Sequence, residues 1–143
     1  MTNDSSSRIL RLLELGQSMV EFALVMPFLM LIIVGTFDLG RAIYYYNAIS
    51  ASAREAARHA IICGGAAALD CSQQDADTKN FVVDTTVAVP LSTSDITITP
   101  SRRQYGDTVT VSVGVGFTPA TPFISNITQG DLRLTAQASM VAE

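Results

Sequence analysis

A carboxylate at the head of an apolar run is the first residue whose chemistry needs a reason. Glu21 stands directly before Phe22–Phe37, sixteen residues without a charge, and Gly16 precedes it by five positions. A charged side chain costs about 2.5–3.5 kcal/mol near a bilayer centre on insertion scales, less towards the edge, and an opposite charge in low dielectric offsets that cost. Glu21 therefore needs either a cationic partner or a place in the interface, as in an ordinary signal-anchor. The second chemical pair is Cys63 and Cys71, separated by Gly64-Gly65-Ala66-Ala67-Ala68-Leu69-Asp70. Seven intervening residues exclude a CxxC redox or zinc spacing, and the single His59 leaves no completing ligands. If this segment lies outside the cytoplasm, a disulfide is the natural reading, and closing so short a loop would stabilise by roughly 2–3 kcal/mol. Two partly buried free thiols are the alternative.

Other polar residues carry less. Asp38 and Arg41, at i and i+3, suit a helix-surface ion pair worth about 0.2–0.5 kcal/mol, though Asp38 reads chiefly as a marker of the end of the apolar run. Asp70, Asp75 and Asp77 lack the ligand order and central glycine of a calcium loop. Asn3-Asp4-Ser5 and Asn126-Ile127-Thr128 match the N-glycosylation pattern by chance. With one histidine and no Gly-rich phosphate loop, the chain is expected to be neither an enzyme nor a holder of a metal or cofactor.

The elements that position these residues follow from composition and period. The chain has 143 residues, room for one small domain and a membrane segment, with 48% hydrophobic and 15% charged residues. Acidic and basic residues balance up to Ile62. Beyond it, eight acidic against four basic residues account for the whole net charge of −4. An acidic domain without a basic stripe is a poor partner for nucleic acid. Residues 1–16 are polar, then briefly amphipathic, too short to span a bilayer, and read as a leader. Residues 17–62 favour one long helix, on the order of 70 Å at 1.5 Å per residue. The span is expected at about residues 20–40, close to the ~20 residues that cross the hydrocarbon. Pro27 should kink it locally, and Tyr44, Tyr45 and Tyr46 stand where a second interface belongs. About half of the helix would project beyond the membrane. A signal peptide cleaved near residue 40 fits less well, because the run contains Pro27 and continues into helix without a small-residue cleavage site. Charge bias does not settle orientation, since Arg8 and Arg11 precede the span while Arg41, Arg54 and Arg58 follow it.

On the projecting half, Ala48, Ser52, Ala56 and Ala60 form a stripe of small residues with Ala53 and Ala57 beside it. It suits close approach of this chain's own distal domain or of neighbouring subunits. Residues 63–143 form that domain. Gly64-Gly65 ends the helix, residues 64–80 read as a loop, and Phe81–Val89 fits strand and helix periods alike. Residues 95–99, 109–117 and 132–140 alternate as strands, and 100–106 make a turn. The expected fold class is α+β: a long amino-terminal transmembrane helix continuing outside the membrane and packed, near residues 48–62, on a small antiparallel sheet.

Three segments carry a family resemblance: Glu21-Phe22-Ala23-Leu24-Val25-Met26-Pro27-Phe28, Phe37-Asp38-Leu39-Gly40-Arg41-Ala42 and Ala53-Arg54-Glu55-Ala56-Ala57-Arg58. Together they resemble the opening of TadE-like proteins, minor pseudopilins of the tight-adherence (Tad, or Flp) pilus systems. More loosely, Asp107–Val113, the proline-bearing Phe117–Pro122 and Leu134–Met140 are similar to that family's later strands and connection. The resemblance implies a prepilin-type leader over 1–16, cut by prepilin peptidase between Gly16 and Gln17. Glu21 would then be the fifth residue, pairing with the amino terminus of an adjacent subunit during assembly. It also implies other pilin and pseudopilin subunits, an inner-membrane assembly platform and membrane lipid as partners. The protein would sit in the inner membrane, single-pass, with its carboxy-terminal domain extracytoplasmic. At Phe81–Val89 the resemblance favours helix. The rival is an uncleaved, single-pass envelope protein whose β domain binds an extracytoplasmic partner.

Overall fold

A computed structural model describes residues 3–87, 89–121 and 132–142, with side chains from Gln17 onward. Asn126-Ile127-Thr128, Pro122 and the first two residues of the leader lie outside the described residues, as do the side chains of residues 3–16. The chain divides into two compact units, Met1–Leu39 and Gly40–Glu143.

The first unit is helical. It belongs to α1 (Asn3–Ala60), which is assigned without a break through Gly16 and Pro27. Its apolar side chains are exposed, Met19 and Phe28 by 74% and 73%. Such a surface is stable only in lipid or against another chain. The stretch from Gln17 is the one described helix long and apolar enough to cross a membrane, and it reads as a single-pass anchor.

The second unit is the α+β domain. Residues Gly40–Ala60 of α1 are followed by the two-residue β1 (Leu69–Asp70), α2 (Ser72–Thr85) and a 3-10 turn at Thr93–Asp95. Then come β2 (Ile96–Thr99), β3 (Arg102–Arg103), β4 (Thr108–Phe117) and β5 (Leu132–Val141). The main sheet is antiparallel, in the order β2-β4-β5, and β5 pairs with β4 along its whole length, from Thr108↔Val141 to Phe117↔Leu132. The alternation seen in sequence sets its faces. Val109, Val111 and Val113 are fully buried, and Ile49, Ala53, Ala56, Ala57 and Ala60 of α1 share their core. The small-residue stripe is therefore largely spent on this chain's own sheet, because alanines bring the helix backbone close to the valine face. On the outer face Thr110 and Ser139 hydroxyls lie 2.9 Å apart across the strands. At Gly114 the Arg133 guanidinium lies over the strand, with its Nε 2.9 Å from where a Cβ would stand, so a side chain there would have to displace this exposed arginine. Gly106 takes φ 91° in the turn before β4.

Four segments differ from their sequence reading. Residues 64–80 are not all loop, because β1 and the first nine residues of α2 fall within them. α2 then runs on through Phe81 to Thr85, so the ambiguous segment is helical in its first five residues and not at Thr86, Val87 or Val89. Its threonines are tolerated because their hydroxyls bond back one turn, Thr78 Oγ1 to Gln74 O and Thr85 Oγ1 to Phe81 O, both at 2.7 Å. Thr86 is extended, and Pro90 closes off any continuation. The turn read at 100–106 likewise holds β3, which pairs with β1 through Leu69↔Arg103 and Asp70↔Arg102. Finally, α1 ends at Ala60, two residues before the expected end at Ile62.

Candidate functional site

The amino-terminal candidates lie on one helix. Gly16 is within α1, so the peptide bond between Gly16 and Gln17 has helical geometry. Gln17 and Glu21 are one turn apart, both exposed, and Gln17 Nε2 donates to Glu21 Oε1 at 3.4 Å. From Phe22 the exposed apolar face begins. The arrangement presents an exposed carboxylate at the head of an apolar surface, with a helix-weakening glycine five residues before it. A glycine in a helix interior costs about 1 kcal/mol relative to alanine, so local opening is cheapest there.

Asp38, read in sequence as the end of the apolar run, is buried. It is only 4% exposed, between the exposed Phe37 and Leu39. Arg41 sits in the second unit with its guanidinium carbon 5.4 Å from the centroid of the Phe117 ring at the end of β4, and Tyr45 meets the same ring edge-on at 5.7 Å.

The distal candidates form a junction rather than a reaction centre. Cys63 and Cys71 are bonded to one another, with Cα atoms 5.9 Å apart. The bridge ties the residues after α1 to the residue that caps α2. Beside it lies a group that sequence reasoning missed. Arg103 is fully buried: Nη1 donates to Ala60 O at 2.6 Å, Nε donates to Pro100 O at 2.6 Å, and Nη2 pairs with Asp75. The cation thus covers a terminal carbonyl of α1, where the helix dipole favours positive charge, and Asp75 in the first turn of α2 balances it. The only signal in sequence was an Arg pair in a presumed turn, which gives no hint of burial.

The three aspartates weighed for calcium go to separate partners. Asp75 holds Arg103, Asp77 accepts from Gln73 Nε2 at 3.3 Å, and Asp70 accepts from Ser72 Oγ at 2.5 Å and Ser72 N at 3.1 Å. The Ser72 hydroxyl and then its N–H hold the Asp70 carboxyl below its ordinary range, with a smaller pull from Arg102. Among the described residues there is no group of three or more His, Cys, Asp or Glu side chains placed to share a metal ion. The groove beside α2, about 480 Å³, is open and lined by Ser72, Asp75, Lys79, Asn80, Ser94 and Ile98, among others, without a convergent set of reactive groups.

No curated protein and no solved structure matches the chain. A family model does, over residues 16–58: it begins at Gly16, takes in Glu21 and the whole exposed apolar stretch, and ends on the alanine face that packs on β4. The looser resemblance of the later strands lies beyond that match. The family described by the model is TadE-like protein, and residues 16–58 of this chain are similar to it.

Proposed function

We propose that the protein is a minor pseudopilin, a structural and assembly subunit of a Tad/Flp-type pilus used for surface adherence. In this reading prepilin peptidase cuts between Gly16 and Gln17, and the protein acts by assembly rather than by catalysis. Its partners are other pilin and pseudopilin subunits, the inner-membrane assembly platform and membrane lipid. One observation carries the reading: the TadE-like match starts on Gly16, directly ahead of a carboxylate at the head of an exposed apolar helix. The disulfide between Cys63 and Cys71 supports a domain in an oxidising, extracytoplasmic compartment.

Each residue then has a part. Gly16 lets the helix open at the scissile bond, since a protease must draw an extended segment out of α1. Cleavage makes Gln17 the amino terminus and Glu21 the fifth residue. In lipid the Glu21 carboxylate is costly alone and stabilised by a neighbour's amino terminus, which favours a docked subunit over a free one.

Mass spectrometry of the amino terminus in the native host, with the pilus locus expressed, tests this. The expected product begins at Gln17, and Gly16→Val leaves a precursor still carrying residues 1–16. A wild-type protein with its leader intact would overturn the cut and favour the uncleaved, envelope-anchored alternative. The unbroken helix across Gly16 and Gln17 is the observation on that side.

A further inference from the structure

Resting on the cut after Gly16, we propose that Gln17 is a site of self-modification. As the first residue it closes to pyroglutamate, and Glu21 is the positioning residue that slows this closure. The step is an intramolecular aminolysis. The free α-amine of Gln17 attacks the side-chain amide carbon Cδ, a new N–Cδ bond closes a five-membered lactam, and the bond from Cδ to Nε2 breaks. Nε2 leaves as ammonia, taking the proton that the amine gives up. No oxidant, reductant or second substrate is required.

Ring closure needs the side chain folded back, with Cδ against the residue's own main-chain nitrogen. In the uncut chain the structure shows the opposite arrangement, which a helix beginning at Gln17 can keep. The exposed amide reaches forward along the helix to the residue one turn on, Nε2 donating to Glu21 Oε1 at 3.4 Å. The forward and folded-back positions exclude one another, so each moment spent on Glu21 is time lost to cyclisation. The contact is long and exposed, so it acts as a partial brake. Closure has a chemical consequence for assembly. It removes the positive charge of the amino terminus and leaves a lactam with no amine to methylate or to pair with a neighbour's carboxylate. A cut subunit therefore has a limited period in which its terminus is competent to dock.

The test uses the mature chain produced behind a removable fusion whose protease leaves Gln17 first, held in detergent micelles and followed by intact-mass spectrometry. This route does not depend on the host peptidase, so failure of the cut in the host leaves its result readable. Wild type is expected to lose about 17 Da with time, the mass of ammonia, and Gln17→Ser, which has no side-chain amide to lose, is expected to keep its mass. Glu21→Ala should cyclise about two- to four-fold faster, the range an exposed hydrogen bond to a charged group allows. Glu21→Gln keeps an acceptor oxygen and should fall nearer wild type. Circular dichroism should show equal helicity in all four proteins. Absence of the loss in wild type and Glu21→Ala, or equal rates in the two, would overturn the proposal.

Discussion

Arg103 shows how far a single side chain can reach in a small domain. Its guanidinium joins three segments, accepting nothing and donating to the end of α1, to Pro100 and to Asp75. A buried ion pair adds little over a well-packed apolar pair, yet breaking one by removing a single partner costs about 3–5 kcal/mol, because the other charge stays buried. Arg103→Ala should therefore destabilise the domain by that amount in urea titration. Arg103→Met combined with Asp75→Leu should recover most of it. Additive losses in the double variant would show that the two residues do not act as a pair. None of this was legible in the sequence, because the partners of Arg103 lie 28 and 43 residues away and an arginine in a polar stretch reads as solvated. Glu21 was legible for the opposite reason: its neighbours in sequence are its environment.

The same contrast holds among the elements. The valine alternation of β4 and the small residues of β5 announced themselves, since each strand buries one face against a single partner surface. The helix facing them was legible through its alanines, and its closeness to the sheet can be tested. Ala57 is fully buried between α1 and the core, so Ala57→Leu should overpack the junction and cost about 1–3 kcal/mol, read as a lowered midpoint in thermal unfolding. By contrast α2 was hidden by composition. Its Phe81-Val82-Val83 run and its threonines favour strand locally, and the burial of Thr78 and Val82 on one face holds the segment as a helix. The bridge at the head of α2 gives a further expected outcome. Alkylation of folded, membrane-derived protein without reductant should leave Cys63 and Cys71 unlabelled, and labelling of either would mean free thiols or the opposite topology.

At the scale of the whole molecule the two units have different needs. The first exposes its apolar side chains from Met19 to Leu39 and is at home only in lipid or among other chains, whereas the second has a core of its own. Glu21 belongs to the first, so Glu21→Ala should leave the disulfide and the sheet intact and accumulate in the membrane. What should fall is pilus formation and surface adherence, scored by microscopy and a binding assay. Wild-type piliation in that variant would remove the assembly role from Glu21. The pairing of β5 with β4 along all ten residues has another side. Ribosomes make the helix first, and its alanine face must wait, bare, while more than seventy further residues are threaded out behind it. Until β5 emerges, β4 has an open edge and the core cannot close. Newly made chains thus pass through an interval with the apolar face of the core uncovered, and a chain stalled in translation before residue 132 would keep that face open to aggregation and proteolysis.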